Sequence, residues 1–231
     1  MLIIYEALHS RMLTNKIKNF RAVLVDIDDT LYDYEAANKL ALAAVYESFV
    51  TEFNSLTRSE FYSIYRKFRI EITARYRGSG ASRSRFLAFQ ALLEHLKIPC
   101  AYSLALDMEE TYWSSLIASM QPIMSVVDLL KQLRDLEIPV CAVTDMQVRV
   151  QAMKIRSLGL ERYIDFMVSS EEAGCEKPSK IIFELALKKL SVPAKDVLMI
   201  GDSIKKDMVG AIAMGMHAWH IKHGNLVVFK E

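Results

Sequence analysis

The side chains best suited to chemistry fall in four short clusters. Asp26, Asp28 and Asp29 lie in VLVDIDDTLYDY, and Thr144 with Asp145 closes PVCAVTD. Lys177 and Pro178 follow SSEEAGCE, while Asp202, Ser203 and Asp207 lie in GDSIKKD. Carboxylates as crowded as Asp26, Asp28 and Asp29 repel and raise one another's pKa, so the group either turns outward to water or binds a cation. Acids in the first and last clusters, with a hydroxyl and an ammonium in the other two, form a carboxylate cage for a hard divalent cation. Beside it they leave a pocket for phosphate oxygens.

These clusters can meet only if the apolar runs before them are strands ending on one side of a sheet. RAVLVD, residues 21–26, is a short Val- and Leu-rich run of the kind buried on both faces. From residue 36 the periodicity becomes helical through AANKLALAAVYESFV, RSEFYSIYRKFRIEITARY, RFLAFQALLEHL and LALDMEETYWSSLIASM, broken at RGSGAS and KIPCAYS. Beyond Pro122 helices and strands alternate. SVVDLLKQLRDLEI, VRVQAMKIRSLGL, PSKIIFELALKKL and IKKDMVGAIAMGM read as helices; PVCAVTD, IDFMVSS, DVLMIGDS and HAWHIK read as strands. Such alternation predicts an α/β fold, a Rossmann-like parallel sheet flanked by helices, with right-handed crossovers and ligands at the carboxyl ends of the strands. The expected organisation is a discontinuous core over 20–35 and 120–225, an all-helical block over 36–119, and a lead-in over 1–19.

DIDDT, TD, KP and GDSIKKD, in that order and each at a predicted strand end, resemble the motifs of the haloacid dehalogenase superfamily. The helical block falls where some subfamilies carry an inserted helical cap. The resemblance implies a phosphatase in which Asp26 is the nucleophile, taking the phosphoryl group as an aspartyl phosphate, and Asp28 the general acid and base. It implies Mg²⁺ held by Asp26, the backbone carbonyl of Asp28, and Asp202, with waters completing the octahedron. Thr144 and Lys177 would bind the phosphoryl oxygens, helped by the backbone N–H groups of Asp28 and Asp145. Asp207 would support the metal through water or hold the lysine; the alternative is an exposed acid in the first turn of a helix. Asp29 stands at a variable position and reads as a turn or capping acid. Thr30 either orders the loop or caps, and Ser203 is either a loop-fixing hydroxyl or a helix N-cap. Dehalogenase members lack an acid two residues after the nucleophile, so Asp28 favours phosphoryl transfer. A phosphomutase keeps the same motifs and is the enzymatic alternative. A non-catalytic magnesium- and phosphate-binding receiver module is the alternative from another class, and both the motif order and the helical insertion argue against it.

The remainder of the chain narrows the partners. Its 231 residues carry 29 basic and 28 acidic side chains, a formal charge of +1, with 52% hydrophobic residues. This is a globular profile without the basic excess that attracts nucleic acid. Three widely spaced cysteines, Cys100, Cys141 and Cys175, fit a reducing compartment. MLIIYEALHSRML reads neither as a signal peptide nor as a spanning helix, and the expected location is cytoplasmic. The expected partner is a small phosphorylated metabolite, with neither nucleic acid nor membrane; nothing in the sequence specifies an oligomer. RYRGSGASRSR, with four arginines, is suited to an anionic or hydroxyl-rich substrate or to a solvated turn, the latter slightly favoured. Tyr32 and Tyr34 would line the site entrance or pack a hinge. Phe61, Tyr65, Phe68, Phe86 and Phe89 read as packing within the helical block, and His217 and His220 as structural.

Overall fold

Alternate side chains of AVLV in strand β1 (Ala22–Val25) enter two different hydrophobic cores, one on each face of the sheet. Ala22 and Leu24 join Ile182, Phe183 and Met208, whereas Val23 and Val25 join Leu129, Leu130 and Val150. This is the period of two expected of a strand buried on both sides, and it places β1 in the middle of the sheet. The computed structural model describes residues 16–53, 56–222 and 225–229. Six strands lie in the order β3 (Phe166–Ser169), β2 (Val140–Thr144), β1, β4 (Val197–Gly201), β5 (His217–Lys222), β6 (Asn225–Val228). The first five are parallel, as expected from the alternation. β6 is an antiparallel edge strand that the sequence reading did not include.

Between β1 and β2 run four long helices before the crossover proper. They are α1 (Tyr34–Phe49), α2 (Arg58–Arg75), α3 (Arg85–His95) and α4 (Ala101–Ser119), followed by α5 (Met124–Asp135) against the sheet. Local chemistry starts three of them. Asp33 accepts from the Ala36 N–H, Thr57 and Glu60 form a reciprocal capping box, and Ser84 accepts from the Leu87 N–H. α4 packs against both α1 and α3, and α2 against α3. Phe61, Tyr65, Phe89 and Tyr112 form a continuous run of rings through the block, with centroids 5.0–6.3 Å apart. The segments entering and leaving the block lie side by side: Tyr32 bridges Pro122, and the Ile123 N–H donates to the Leu31 carbonyl at 2.8 Å.

After β2 come α6 (Val148–Ser157), β3, the single turn α7 (Ser170–Ala173), α8 (Lys180–Leu190) and β4. The helix expected over 204–216 differs in detail. It opens with a wide π turn, Ile204–Met208, and only α9 (Val209–Ala213) is α-helical. Residues 1–15 of the expected lead-in lie outside the described residues, and Ile17 is buried in the core. No helix among the described residues is long and apolar enough to cross a membrane.

Candidate active site

Every residue singled out in the four clusters lies at the carboxyl edge of the parallel strands. Asp26 directly follows β1, its N–H still in the ladder with the Ile200 carbonyl at 2.9 Å. Thr144 ends β2, Lys177 follows α7, Asp202 follows β4, and the π turn returns Asp207 over the end of β4. That return depends on Gly201. A Cβ there would lie 2.6 Å from Asp207 Cγ, a contact no side chain tolerates.

Lys177 is the centre of the buried layer, 3% exposed. Its Nζ is 2.8 Å from Asp26 Oδ1 and 2.7 Å from Asp207 Oδ1, and donates to the Val143 carbonyl at 3.0 Å. Its backbone N–H donates to Asp145 Oδ1 at 2.8 Å, and the other oxygen of Asp145 pairs with Lys206 at 2.6 Å. Asp207 is thus buried and holds the lysine; the exposed helix-turn alternative does not apply. Carboxylate oxygens of Asp26, Asp202 and Asp207 lie within 4.8 Å of one another. Burial pushes Asp26 well above the usual carboxylate range; the Lys177 ammonium opposes this, and Asp207 and Asp202 add to it. Burial, then Asp207 and Asp29, raise Asp202 to about 6. Burial alone would depress Lys177, but Asp207, Asp26 and Asp145 hold it above its ordinary value.

Asp28 occupies a different environment. Oδ1 accepts from Tyr32 Oη at 2.5 Å and from Lys154 Nζ at 2.6 Å, and Oδ2 accepts from Gln151 Nε2 at 3.1 Å. Burial would raise its pKa, yet Lys154, Tyr32 and Gln151 together leave it lowered. Asp28 is therefore not raised by its neighbours, contrary to the expectation for carboxylates so closely spaced in the sequence. Lys154 is fully buried, its Nζ 5.6–5.7 Å from the ring centroids of Tyr32, Tyr34 and Trp113. Gln151 also donates to Thr144 Oγ1. The sequence reading missed both residues. The available signal was two polar side chains at core-facing positions of α6, flanked by buried Val150 and Ile155.

Asp29 sits at φ 58° and accepts from the Tyr34 N–H at 2.9 Å, the turn acid expected. Ser203 fulfils neither expected role through its hydroxyl, which makes no cap bond; its backbone N–H donates to Asp207 Oδ2 at 3.0 Å. Thr30 is buried with no partner for its hydroxyl among the described residues, so it neither caps nor ties the loop by a hydrogen bond. His220 Nε2 is 2.7 Å from the Asp202 carbonyl and His217 packs against Phe20.

A cavity of about 750 Å³ opens between this strand-end floor and the helical block. Tyr34, Tyr65, Arg69 and Arg85 are among the residues of the facing wall. At its edge the turn before α3 touches the sheet domain. Ser82 Oγ donates to Glu176 Oε1 at 2.6 Å, and Arg83 Nε lies 3.1 Å from the same oxygen. Two arginines of the run 75–85, Arg83 and Arg85, therefore line the cavity, while Arg75 and Arg77 are solvated.

Carboxylates around a buried lysine at the strand ends of a parallel α/β sheet form the floor of the cavity. The family profile of haloacid dehalogenase-like hydrolases matches residues 20–215, and the chain belongs to that family. A ribulose-1,5-bisphosphate 5-phosphatase from Halopiger xanaduensis is 32% identical over 196 residues, 84% of this chain and 82% of that protein. A glyceraldehyde 3-phosphate phosphatase from Methanopyrus kandleri is 31% identical over 208 residues, covering 88% and 84%. Among solved structures, the hydrolase YfnB from Bacillus subtilis, bound to magnesium, superposes with a TM-score of 0.67 at 25% identity over 86% of this chain and 87% of that one.

Proposed function

We propose that the protein is a Mg²⁺-dependent phosphatase of small sugar-type phosphate monoesters that works through an aspartyl phosphate. The observation that carries this reading is the pairing of Asp26 with Lys177 beside Thr144, Asp28 and Asp202, all lining one cavity. The core over 20–35 and 120–225 supplies this floor, and the helical block over 36–119 acts as the cap. The phosphatase names of the two relatives agree with it.

The clustered oxygens of buried Asp26 and Asp207 and half-buried Asp202, with the raised carboxyls of Asp26 and Asp202, suit a hard divalent cation. Asp26, Asp202 and the Asp28 carbonyl would hold Mg²⁺, which when bound offsets repulsion between anionic nucleophile and anionic substrate. Lys177 keeps one Asp26 oxygen fixed and, with the Thr144 hydroxyl, meets the transferring phosphoryl oxygens. Asp26 attacks phosphorus, the bond to the leaving oxygen breaks, and the alcohol leaves with a proton from Asp28. Asp28 is held ionised at rest, so it must first take up a proton from solvent, as the negative charge of the approaching phosphate raises its proton affinity, before that donation. In the second half Asp28 takes a proton from water, the role its resting state favours, and the acyl phosphate is hydrolysed.

The test is phosphate release from p-nitrophenyl phosphate and a panel of sugar phosphates, with Mg²⁺ or chelator, for the native protein and Asp26→Asn. Turnover that requires Mg²⁺ and disappears with the substitution is expected. Folded, Mg²⁺-binding protein without release from any substrate would overturn the reading.

A further inference from the structure

The cavity wall opposite the floor carries three arginines that pair with no carboxylate among the described residues. α2 presents Tyr62, Tyr65, Arg66 and Arg69 to the cavity at spacings of three and four, one stripe of the helix. Arg85, at the start of α3, lines the same wall. Among the described residues Arg66, Arg69 and Arg85 form no ion pair with a carboxylate, whereas Arg83 is taken up by Glu176. Arg69 uses Nη1 alone, toward the carbonyls of Ser82 and Ser84 at 3.3 and 3.2 Å. Arg85 is 5% exposed, held by the Arg83 carbonyl and Tyr34 Oη and by the rings of Tyr112 and Trp113, and its Nε–H has no acceptor among the described residues.

Two like charges held close in a partly dry wall are unfavourable without an anion. Burial and the neighbouring Arg85 charge depress Arg69 to about 10. A structural role accounts for part of Arg69, since it pins the turn before α3, but that uses one nitrogen of the fork and does not explain Arg66. Guanidinium groups with free donors facing a cavity match oxyanions in bidentate geometry. On the phosphatase reading the transferred phosphate is met on the floor by the Thr144 hydroxyl and the Lys177 charge, so these donors address another group.

We propose that the wall formed by Arg66, Arg69 and Arg85 binds a second phosphate of the same substrate, making small bisphosphates the preferred substrate class. This rests on the phosphatase reading for the floor, but the wall itself can be assayed without turnover.

Binding of ribulose 1,5-bisphosphate and ribulose 5-phosphate, a pair differing by one phosphate, is measured by calorimetry with Mg²⁺ in an Asp26→Asn background. The bisphosphate is expected to bind more tightly by roughly tenfold or more, the worth of one charge-assisted contact. Adding Arg66→Met and Arg69→Met should bring the ratio of the two affinities toward one, and Arg69→Lys should keep part of the preference. Arg66 is exposed, so Arg66→Met alone checks the point without disturbing the packing, with a severalfold fall in the ratio. Equal affinities in the parent, or a preference that survives the double substitution, would overturn the proposal. Failure of the native protein to release phosphate from any substrate of the panel, the bisphosphate included, with the bisphosphate preference intact would instead remove the phosphatase reading and leave the anion site standing.

Discussion

Replacing Lys154 by methionine keeps the length and much of the packing of the side chain while removing its charge. Nζ is 2.6 Å from Asp28 Oδ1, and the lysine side chain is fully buried whereas that of Asp28 is 28% exposed. Removing one partner of a wholly buried pair costs about 3–5 kcal/mol. Here Asp28 keeps its bonds from Tyr32 and Gln151 and opens toward the cavity, so the lower figure of about 2–3 kcal/mol applies. At about 2–4 °C per kcal/mol for a chain of this size, Tm should fall by about 4–12 °C. Asp28→Ala should cost more, because it strands a fully buried ammonium among three rings, whose attraction at 5.6–5.7 Å only partly replaces a carboxylate. Urea unfolding of both single variants and the double variant isolates the pair: the double should be less destabilised than the sum of the singles by at least about 1 kcal/mol. The pH dependence has a definite sign. Asp28 is lowered from 3.8 in the folded state, so the stability the pair contributes is complete above 3.8 and is lost as pH falls through the still lower folded value. In the Lys154→Met protein the buried Asp28 carboxyl loses the ammonium that lowers it, so the deficit should be full at neutrality and shrink as acid protonates that carboxyl, before the native pair itself is lost below 3.8. Singles that add to within about 0.5 kcal/mol, or a Lys154→Met protein as stable as the native one, would refute the ion-pair account.

Two further outcomes follow from packing. Gly201→Ala should push the Asp207 carboxylate off Lys177 and cost about 1–3 kcal/mol, as overpacking of a close contact does; a thermal melt identical to the native one would show that Asp207 does not lie against Gly201. Cys100 is exposed and should react with a thiol reagent in the native protein, whereas Cys141 is buried with its thiol pushed up to about 12 and should label only on unfolding. Mass-spectrometric mapping after brief labelling checks this, and modified Cys141 in folded protein would contradict the core assignment.

The sheet was legible because its central strands are buried on both faces and therefore appear as uninterrupted Val- and Leu-rich runs. Asp26, Thr144 and Asp202 were legible for the same reason: backbone geometry carries the end of each run to one edge. Lys154 and Gln151 were not, since a polar residue in an amphipathic helix is ordinarily solvated, and only the position of α4, which brings Trp113 over α6, makes a dry site for an ammonium. IKKDMVG has the composition of any helix start, so nothing in it distinguishes the π turn that returns Asp207 toward Gly201. The arginines illustrate the same limit. RYRGSGASRSR contains both solvated Arg77 and buried Arg85, which differ in whether the folded wall closes over them.

The electrostatics of the floor explain why a cation belongs to the proposed chemistry. Asp26, Asp202 and Asp207 share one ammonium, that of Lys177, since Lys154 is committed to Asp28 and Lys206 to Asp145. Ionised together, three carboxylates against one ammonium would leave two formal negative charges in a mostly buried layer; burial first, then the neighbouring carboxylates, raises the carboxyls of Asp26 and Asp202. A phosphate dianion approaching such a floor is repelled, whatever donors wait beside it. On the proposed reading, one divalent cation among these oxygens would cancel the surplus and favour an ionised Asp26. The cationic wall then has a separate task, because Arg66, Arg69 and Arg85 line the opposite side of the cavity and attract the end of the substrate that does not react. On this proposed division of labour, loss of the cation would weaken the chemical step, whereas loss of the wall would weaken discrimination among substrates.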